Sequence, residues 1–302
     1  LQQHGHNEGV TVAGPLEAEM AGRRLDPGTL WPALCGRTDR ALQSGALRPL
    51  ATWSELVEDA GVPFVVRVLD SIQHKRAAGR VQRGNPFLPH DEAMFVADVT
   101  DTHVALLNKF NVIRHHLLIV TRRFEDQEEP LTLEDFEALW TCMAGFDGLG
   151  FYNGGEAAGA SQPHKHLQLV PLPFSDDVSG VPIEPLLAGA GEAPGPVAGL
   201  PFRHAVARID SLAGKRVGDA VPVLLDLYVK MMEALGASGR PYNLLVTRGW
   251  MMFVPRVREH FESVSVNALG FAGSLFVRNE RELRLVKRAG PMQVLCDVGD
   301  GR

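Results

Sequence analysis

The sequence predicts an α+β domain, an antiparallel sheet with helices packed against it, and three stretches carry that expectation. Residues 164–170 alternate, so His164, His166, Gln168 and Val170 share one face of a strand while Leu167 and Leu169 share the other. Residues 133–143 place Leu133, Phe136, Leu139, Trp140 and Met143 on one helical face, behind a Thr132 cap with Asp135 at the third helical position. Residues 242–254 read as two strands around an Arg248-Gly249 turn.

Taken in order, residues 1–40 are rich in Gly, Pro and charge and show no sustained period. They are expected to form a poorly structured arm ahead of one domain over 41–302. A helical turn is expected at 41–47 and a strand at 64–68, where β-branched residues cluster. Residues 71–89 read as a mobile polar loop. Strands follow at 94–99, 104–107 and 116–121, the last two joined by a connection carrying Asn108, Lys109 and Asn111. Gly148 is the expected stop of the helix over 133–143. Residues 174–201, dominated by Gly, Ala, Pro and Ser, read as an excursion that buries little apolar surface. In the C-terminal segment, 202–302, Val223, Leu224, Leu227, Tyr228, Met231, Met232 and Leu235 mark a second helix, and short strands are expected at 275–277 and 283–286.

Bulk composition narrows the function. The chain has 302 residues, 45% of them hydrophobic, which is ordinary for a globular protein with a sizeable core. A net charge of −6 argues against nucleic-acid binding as the main task. Lys75, Arg76, Arg80 and Arg83 still concentrate basic charge, as a solvated face or as a surface that meets an anionic substrate. Cys35, Cys142 and Cys296 are too scattered for a disulfide framework or a Cys-x-x-Cys metal site, and a reducing cytoplasm is the expectation. No apolar run approaches the ~20 residues of a membrane span, and residues 1–7 lack a signal-peptide core.

The chemistry concentrates in 153–171, where a loop of Gly, Ala, Ser and Gln runs into His164-x-His166-x-Gln168. Small side chains let backbone N–H groups approach an anion. Two imidazoles and a carboxamide on one strand face are open to three readings. The face can be merely wet. It can bind a metal, although a site needs at least about three ligands and only Glu156 lies nearby. Or one neutral imidazole can attack phosphorus, the reading that the loop favours.

The run from Asn153 to Pro171 resembles the active-site segment of the diadenosine tetraphosphate phosphorylases, or ATP adenylyltransferases, of the histidine-triad superfamily. Asn85-Pro86-Phe87-Leu88-Pro89, the stretches 107–112 and 116–121, 242–247 with Gly249-Trp250 and Val254-Pro255-Arg256, and 267–273 resemble the same family in the same order. The resemblance implies a sheet of histidine-triad type with a C-terminal extension that completes the pocket. It implies phosphorolysis of diadenosine tetraphosphate to ATP and ADP through an adenylyl-histidine on His166. Gln168 stands where the hydrolase branch generally carries a third histidine, and His164 supports the site.

The resemblance further implies substrate contacts from Asn153, Gly159, Ala160, Ser161 and Gln162 around the phosphates, Asn108 and Lys109 at the ribose side, and Lys75 on the phosphate side. Asn267, Ala268, Leu269, Ser274 and Arg278 fall where the family contacts the distal nucleotide, with Arg standing where Lys is expected. Asn108, Asn153 and Ser161 also have plain structural readings as turn residues, and His103, His115 and His116 are expected to be structural. No obligatory cofactor is implied; Mg²⁺ is expected at most to stimulate through the polyphosphate. The expected partners are small molecules, not nucleic acid or membrane. A hexose-1-phosphate uridylyltransferase-like enzyme, a non-catalytic dinucleotide sensor and a zinc hydrolase are the competing readings.

Overall fold

A computed structural model describes residues 25–69 and 84–301. In chain order the first half holds α1 (Pro27–Gln43), β1 (Thr52–Asp59), β2 (Val62–Leu69), β3 (Phe95–Asp98), β4 (His103–Leu107), β5 (Leu117–Thr121), α2 (Leu133–Met143), β6 (Gly148–Gly154) and β7 (His166–Pro171). The second half holds β8 (Ala205–Arg208), α3 (Val217–Ala234), β9 (Tyr242–Val246), β10 (Trp250–Pro255), β11 (His260–Phe261), β12 (Val264–Ser265), α4 (Ala268–Phe271), β13 (Ser274–Val277), α5 (Glu280–Ala289) and α6 (Pro291–Val298).

Eight strands form one sheet in the order β3-β4-β5-β7-β6-β9-β10-β8, antiparallel throughout. On one face α1, α2 and α3 pack Leu34, Phe136, Leu139 and Tyr228 against Ile119, Leu167, Leu169 and Leu244. Helix α2 can lie close because β6 has no side chain at Gly150; an added Cβ would meet Leu139 Cδ1 at 2.8 Å. The other face sends Leu149, Phe151, Val170, Leu245 and Met252 into a second core. That core is closed by a small sheet, β1-β2-β13, with α4 to α6 beside it. The alternation expected at 164–170 is therefore the boundary between the two cores.

The α+β antiparallel sheet, α2 with its Thr132–Asp135 capping box, and the β9–β10 hairpin are present as expected. Several elements differ. Residues 27–43 are helix rather than arm: Asp26 caps Gly28 N–H, Pro27 opens the first turn, and Leu30, Leu34, Thr38 and Ala41 are buried. The excursion at 174–201 is packed, not bare, because its few large residues all point inward: Phe174, Val181, Ile183, Leu187 and Leu200 are buried in the second core. Each such side chain contributes about 1.5–3 kcal/mol relative to exposure. Residues 283–286 lie in α5, capped by Asn279 accepting from Glu282 N–H, and not in a strand. Gly148 opens β6 instead of merely ending α2, and Leu133, expected on the buried face, is exposed. Residues 1–24 and 70–83, with Lys75 and its basic neighbours, lie outside the described residues.

Candidate active site

The site begins where the sheet splits. Strands β6 and β7 pair from Gly148↔Pro171 to Phe151↔Gln168, and the next outward-facing pair on the same register is Asn153 with His166. There Gln127, 2% exposed, inserts its carboxamide between the strands. Its Oε1 accepts the His166 N–H at 2.8 Å, and its Nε2 donates to the carbonyls of Asn153 at 2.9 Å and His166 at 3.3 Å. Backbone groups that would otherwise be buried without partners are thus satisfied by a side chain. Tyr152 holds the wedge in place, donating its hydroxyl to Gln127 O at 2.6 Å.

His166 is 4% exposed and packs 5.3 Å from the Phe87 ring. Its Nδ1 lies 2.8 Å from the His164 carbonyl oxygen. A carbonyl only accepts, so Nδ1 carries the proton and Nε2 keeps its lone pair, with no protein partner among the described residues. Burial, above all, lowers the pKa to about 4, so the ring is neutral at physiological pH.

His164 has no such freedom. Its Nε2 lies 2.9 Å from the Thr121 carbonyl and 3.1 Å from that of Arg123, and Asn85 Nδ2 lies 2.9 Å from its Nδ1. Asn85 is itself oriented by accepting Phe87 N–H at 2.9 Å. Both ring nitrogens of His164 are engaged, and what it offers His166 is its backbone carbonyl, which orients the His166 ring. Behind both histidines Lys165 is fully buried, its ammonium 3.0 Å from Asp135 and 3.2 Å from Glu125.

Two residues beyond His166, Gln168 lines a cavity of about 370 Å³. Its polar lining includes Asn108, His116, Asn153, Ser161, Asn267 and Arg278; Leu69, Phe110, Val112 and Phe276 form an apolar part. His116, expected to be structural, belongs to this site. Phe110 N–H donates to Asn108 Oδ1 at 3.2 Å, which turns Asn108 Nδ2 toward His116 Nδ1 at 3.3 Å. The proton of His116 is then on Nε2, which meets Gln168 Oε1 at 2.9 Å. Gln168 is left with its NH₂ as the end without a protein partner among the described residues. Burial keeps His116 neutral, its pKa lowered to about 4. His116 opens the segment running into β5, and only its three-dimensional pairing with Gln168 distinguishes it from a core histidine.

The other expected contacts divide. Asn108, Asn153, Gly159, Ser161, Asn267, Leu269 and Arg278 line the cavity; Ala160, Gln162, Ala268 and Ser274 do not. Gly159 has φ +89°, and an added Cβ would meet Asn267 Cβ at 2.8 Å, so glycine lets the loop lie against the C-terminal segment. Ala268 contributes its N–H to Asn153 Oδ1 at 3.0 Å. Ser274 is buried with no hydrogen-bond partner for its hydroxyl among the described residues. Lys109 directs its ammonium to Asp91 at 3.3 Å, away from the lining. Arg278 is tied to Glu282 and donates to Ser263 O at 2.8 Å, so its fork is already partly engaged. Among the described residues, no three His, Cys, Asp or Glu converge to hold a metal ion, and no helix is long and apolar enough to cross a membrane.

Residues 20–189 match the family model of the Ap4A phosphorylase N-terminal domain, Ap4A being diadenosine tetraphosphate, and residues 198–300 match that of the ATP adenylyltransferase C-terminal domain. Protein APA1 of Saccharomyces cerevisiae is 24% identical over 270 residues, covering 80% of this chain and 84% of that protein. Diadenosine 5',5'''-P1,P4-tetraphosphate phosphorylase 2 of the same yeast is 26% identical over 237 residues, covering 66% and 70%. The yeast Ap4A phosphorylase Apa2, solved in complex with Ap4A, superposes with a TM-score of 0.76 at 22% identity, over 89% of this chain and 97% of that one. Its complex with AMP gives the same TM-score at 24% identity, over 91% and 98%. With the first model spanning more than half of the residues and the second most of the remainder, the chain belongs to the Ap4A phosphorylase family.

Proposed function

We propose that this protein is an ATP adenylyltransferase that splits diadenosine tetraphosphate with phosphate into ATP and ADP. The observation that carries the reading is the bond from His166 Nδ1 to the His164 carbonyl, which fixes a neutral ring with Nε2 free. His166 is not itself in the cavity lining, but Gln168, two residues on along the same strand face, and Asn153, opposite His166 in register, both are. In the first step Nε2 attacks an α-phosphorus, the P–N bond forms, and the P–O bond to the departing ATP breaks. The ring then carries positive charge, which the His164 carbonyl stabilises through the retained Nδ1–H. In the second step a phosphate oxygen attacks the adenylyl group, the P–N bond breaks, and ADP leaves with the histidine restored.

Both steps gather negative charge on the non-bridging oxygens, so preorganised donors lower the barrier most. Gln168, with its oxygen committed to His116, supplies one; Ser161 and the 159–161 backbone supply others. Mg²⁺, when present, assists by neutralising the polyphosphate and is not needed to complete the protein's own machinery. Names of the yeast relatives, which specify Ap4A phosphorolysis for those proteins, support the same substrate here.

The test is chromatographic. Incubation with diadenosine tetraphosphate should give equal ATP and ADP only when phosphate is added, and none from His166→Ala. AMP and ATP formed without phosphate would make the enzyme a hydrolase. Turnover of UDP-sugars instead would make it a sugar-nucleotide transferase, and binding without turnover a sensor.

A further inference from the structure

Against the loop that carries Ala158 and Gly159 lies a buried cation. Arg256, immediately after β10, is 1% exposed, and among the described residues no carboxylate lies within ion-pair distance of it, Glu259 acting only from further off. Its guanidinium instead donates to oxygens: Nε to Val298 O at 3.1 Å, Nη2 to Arg258 O at 2.8 Å and Val266 O at 2.9 Å, and Nη1 to Ala158 O at 3.2 Å and Asn243 Oδ1 at 2.6 Å. A guanidinium has no acceptor, so the polarity of everything attached to it is set. Asn243 must offer its oxygen to Arg256, and its Nδ2 therefore faces the other way. There it donates to Ala158 O and to Asn153 Oδ1, each at 2.9 Å. Ala268 N–H gives Asn153 Oδ1 a second bond at 3.0 Å. The oxygen of Asn153 is thus used twice on the protein side, and its Nδ2 is the end left for the cavity that Asn153 lines.

We infer that Arg256 and Asn243, neither of which lines the cavity, are positioning residues that hold the Asn153 carboxamide with its NH₂ turned toward the polyphosphate. The inference rests on the reading that this cavity holds a dinucleoside polyphosphate. Turning Asn153 over would set its NH₂ against two other donors, Asn243 Nδ2 and Ala268 N–H, so the orientation is enforced from behind. The arrangement mirrors the relay from Phe110 N–H through Asn108 and His116 to Gln168. In both, a group that can only donate starts the chain and a carboxamide NH₂ ends it.

Asn243→Asp separates positioning from folding. The carboxylate keeps the shape, still accepts from Arg256 and gives that buried cation a counter-charge, but it can donate neither to Asn153 Oδ1 nor to Ala158 O, and of these two only Ala158 O keeps a bond from Arg256. Thermal midpoint, KM and kcat for diadenosine tetraphosphate, and the Kd of ATP by calorimetry are measured on the full chain. The expected result is an unchanged or higher midpoint with ATP binding weakened at least tenfold and KM raised more than kcat falls. Wild-type Kd and KM in Asn243→Asp would overturn the inference, as would a loss that only tracks a falling midpoint. If that variant does not fold, Asn153→Asp decides by the same measurements. Its inner oxygen keeps both accepted bonds while the outer one presents a carboxylate to the phosphates, so a tenfold loss is again expected and wild-type binding refutes it. Because ATP binding needs no turnover, the relay is decided even where the wild type fails to phosphorolyse the dinucleotide.

Discussion

Gln127 Oε1 accepts the backbone N–H of His166 at 2.8 Å, at the point where β6 and β7 stop pairing. A side chain from a loop therefore sets how far apart the strands carrying Asn153 and His166 stand. Gln127→Ala is expected to leave the His166 N–H and the Asn153 carbonyl without partners, at ~1–3 kcal/mol for each buried group. Urea unfolding should show that loss. Steady-state kinetics should show kcat falling while Gln127→Glu, which can still accept from His166 but not donate to Asn153, recovers only part of it.

Acid sensitivity follows from two depressed imidazoles. His116 and His166 are lowered by burial to about 4, against an ordinary value near 6.5. Between those values the unfolded chain binds protons that the folded chain refuses. Stability is therefore full above pH 6.5 and lost as pH falls toward 4, by up to about 3 kcal/mol for each histidine. Denaturation midpoints at pH 7 and pH 5 check the sign. The acid limb of single-turnover adduct formation should lie below pH 5, since the nucleophile stays neutral to that point; a limb near 6.5 would contradict it.

Lys165 makes a buried ion pair with Asp135, which also accepts from His103 at 3.0 Å and caps α2. Removing one partner strands the other charge. Lys165→Met is expected to cost about 3–5 kcal/mol, and the double change Lys165→Met with Asp135→Asn to cost less than the sum of the single ones. A double-mutant cycle by chemical denaturation measures the difference.

Gly159→Ala combines an unfavourable φ with a close contact to Asn267. Strain of ~1–3 kcal/mol is expected, together with displacement of the loop from the C-terminal segment. A raised KM for the dinucleotide with little change in kcat is the kinetic signature to look for.

How much of this was legible in the sequence depended on range. The row His164, His166, Gln168 announced itself because a strand repeats every two residues, and the neighbouring glycines marked a loop built for close approach. Helix α1 and helix α5 carried readable caps, Asp26-Pro27 and Asn279 with Glu282, but the Gly and Pro around the first and the Leu283-x-Leu285 alternation in the second hid them. What could not be read was anything set by distant partners. The wedge at Gln127, the pairing of His116 with Gln168, and the polarity that Arg256 imposes on Asn153 each join residues 26 to 103 positions apart. In a single sequence, nothing marks which of these residues are one another's partners.

The seam of the large sheet has a consequence for how such a chain can change over generations. Strands β3 to β7 fall within the first matched family segment and β8 to β10 within the second, yet they are one hydrogen-bonded surface joined where β6 meets β9, with Asn153 opposite Asn243. Cutting the gene between those segments would not release two modules. It would leave the wholly buried strand Gly148–Gly154 as a raw edge on one product and Tyr242–Val246 on the other, each a template for misassociation. Each segment supplies the strand that covers the other's open edge.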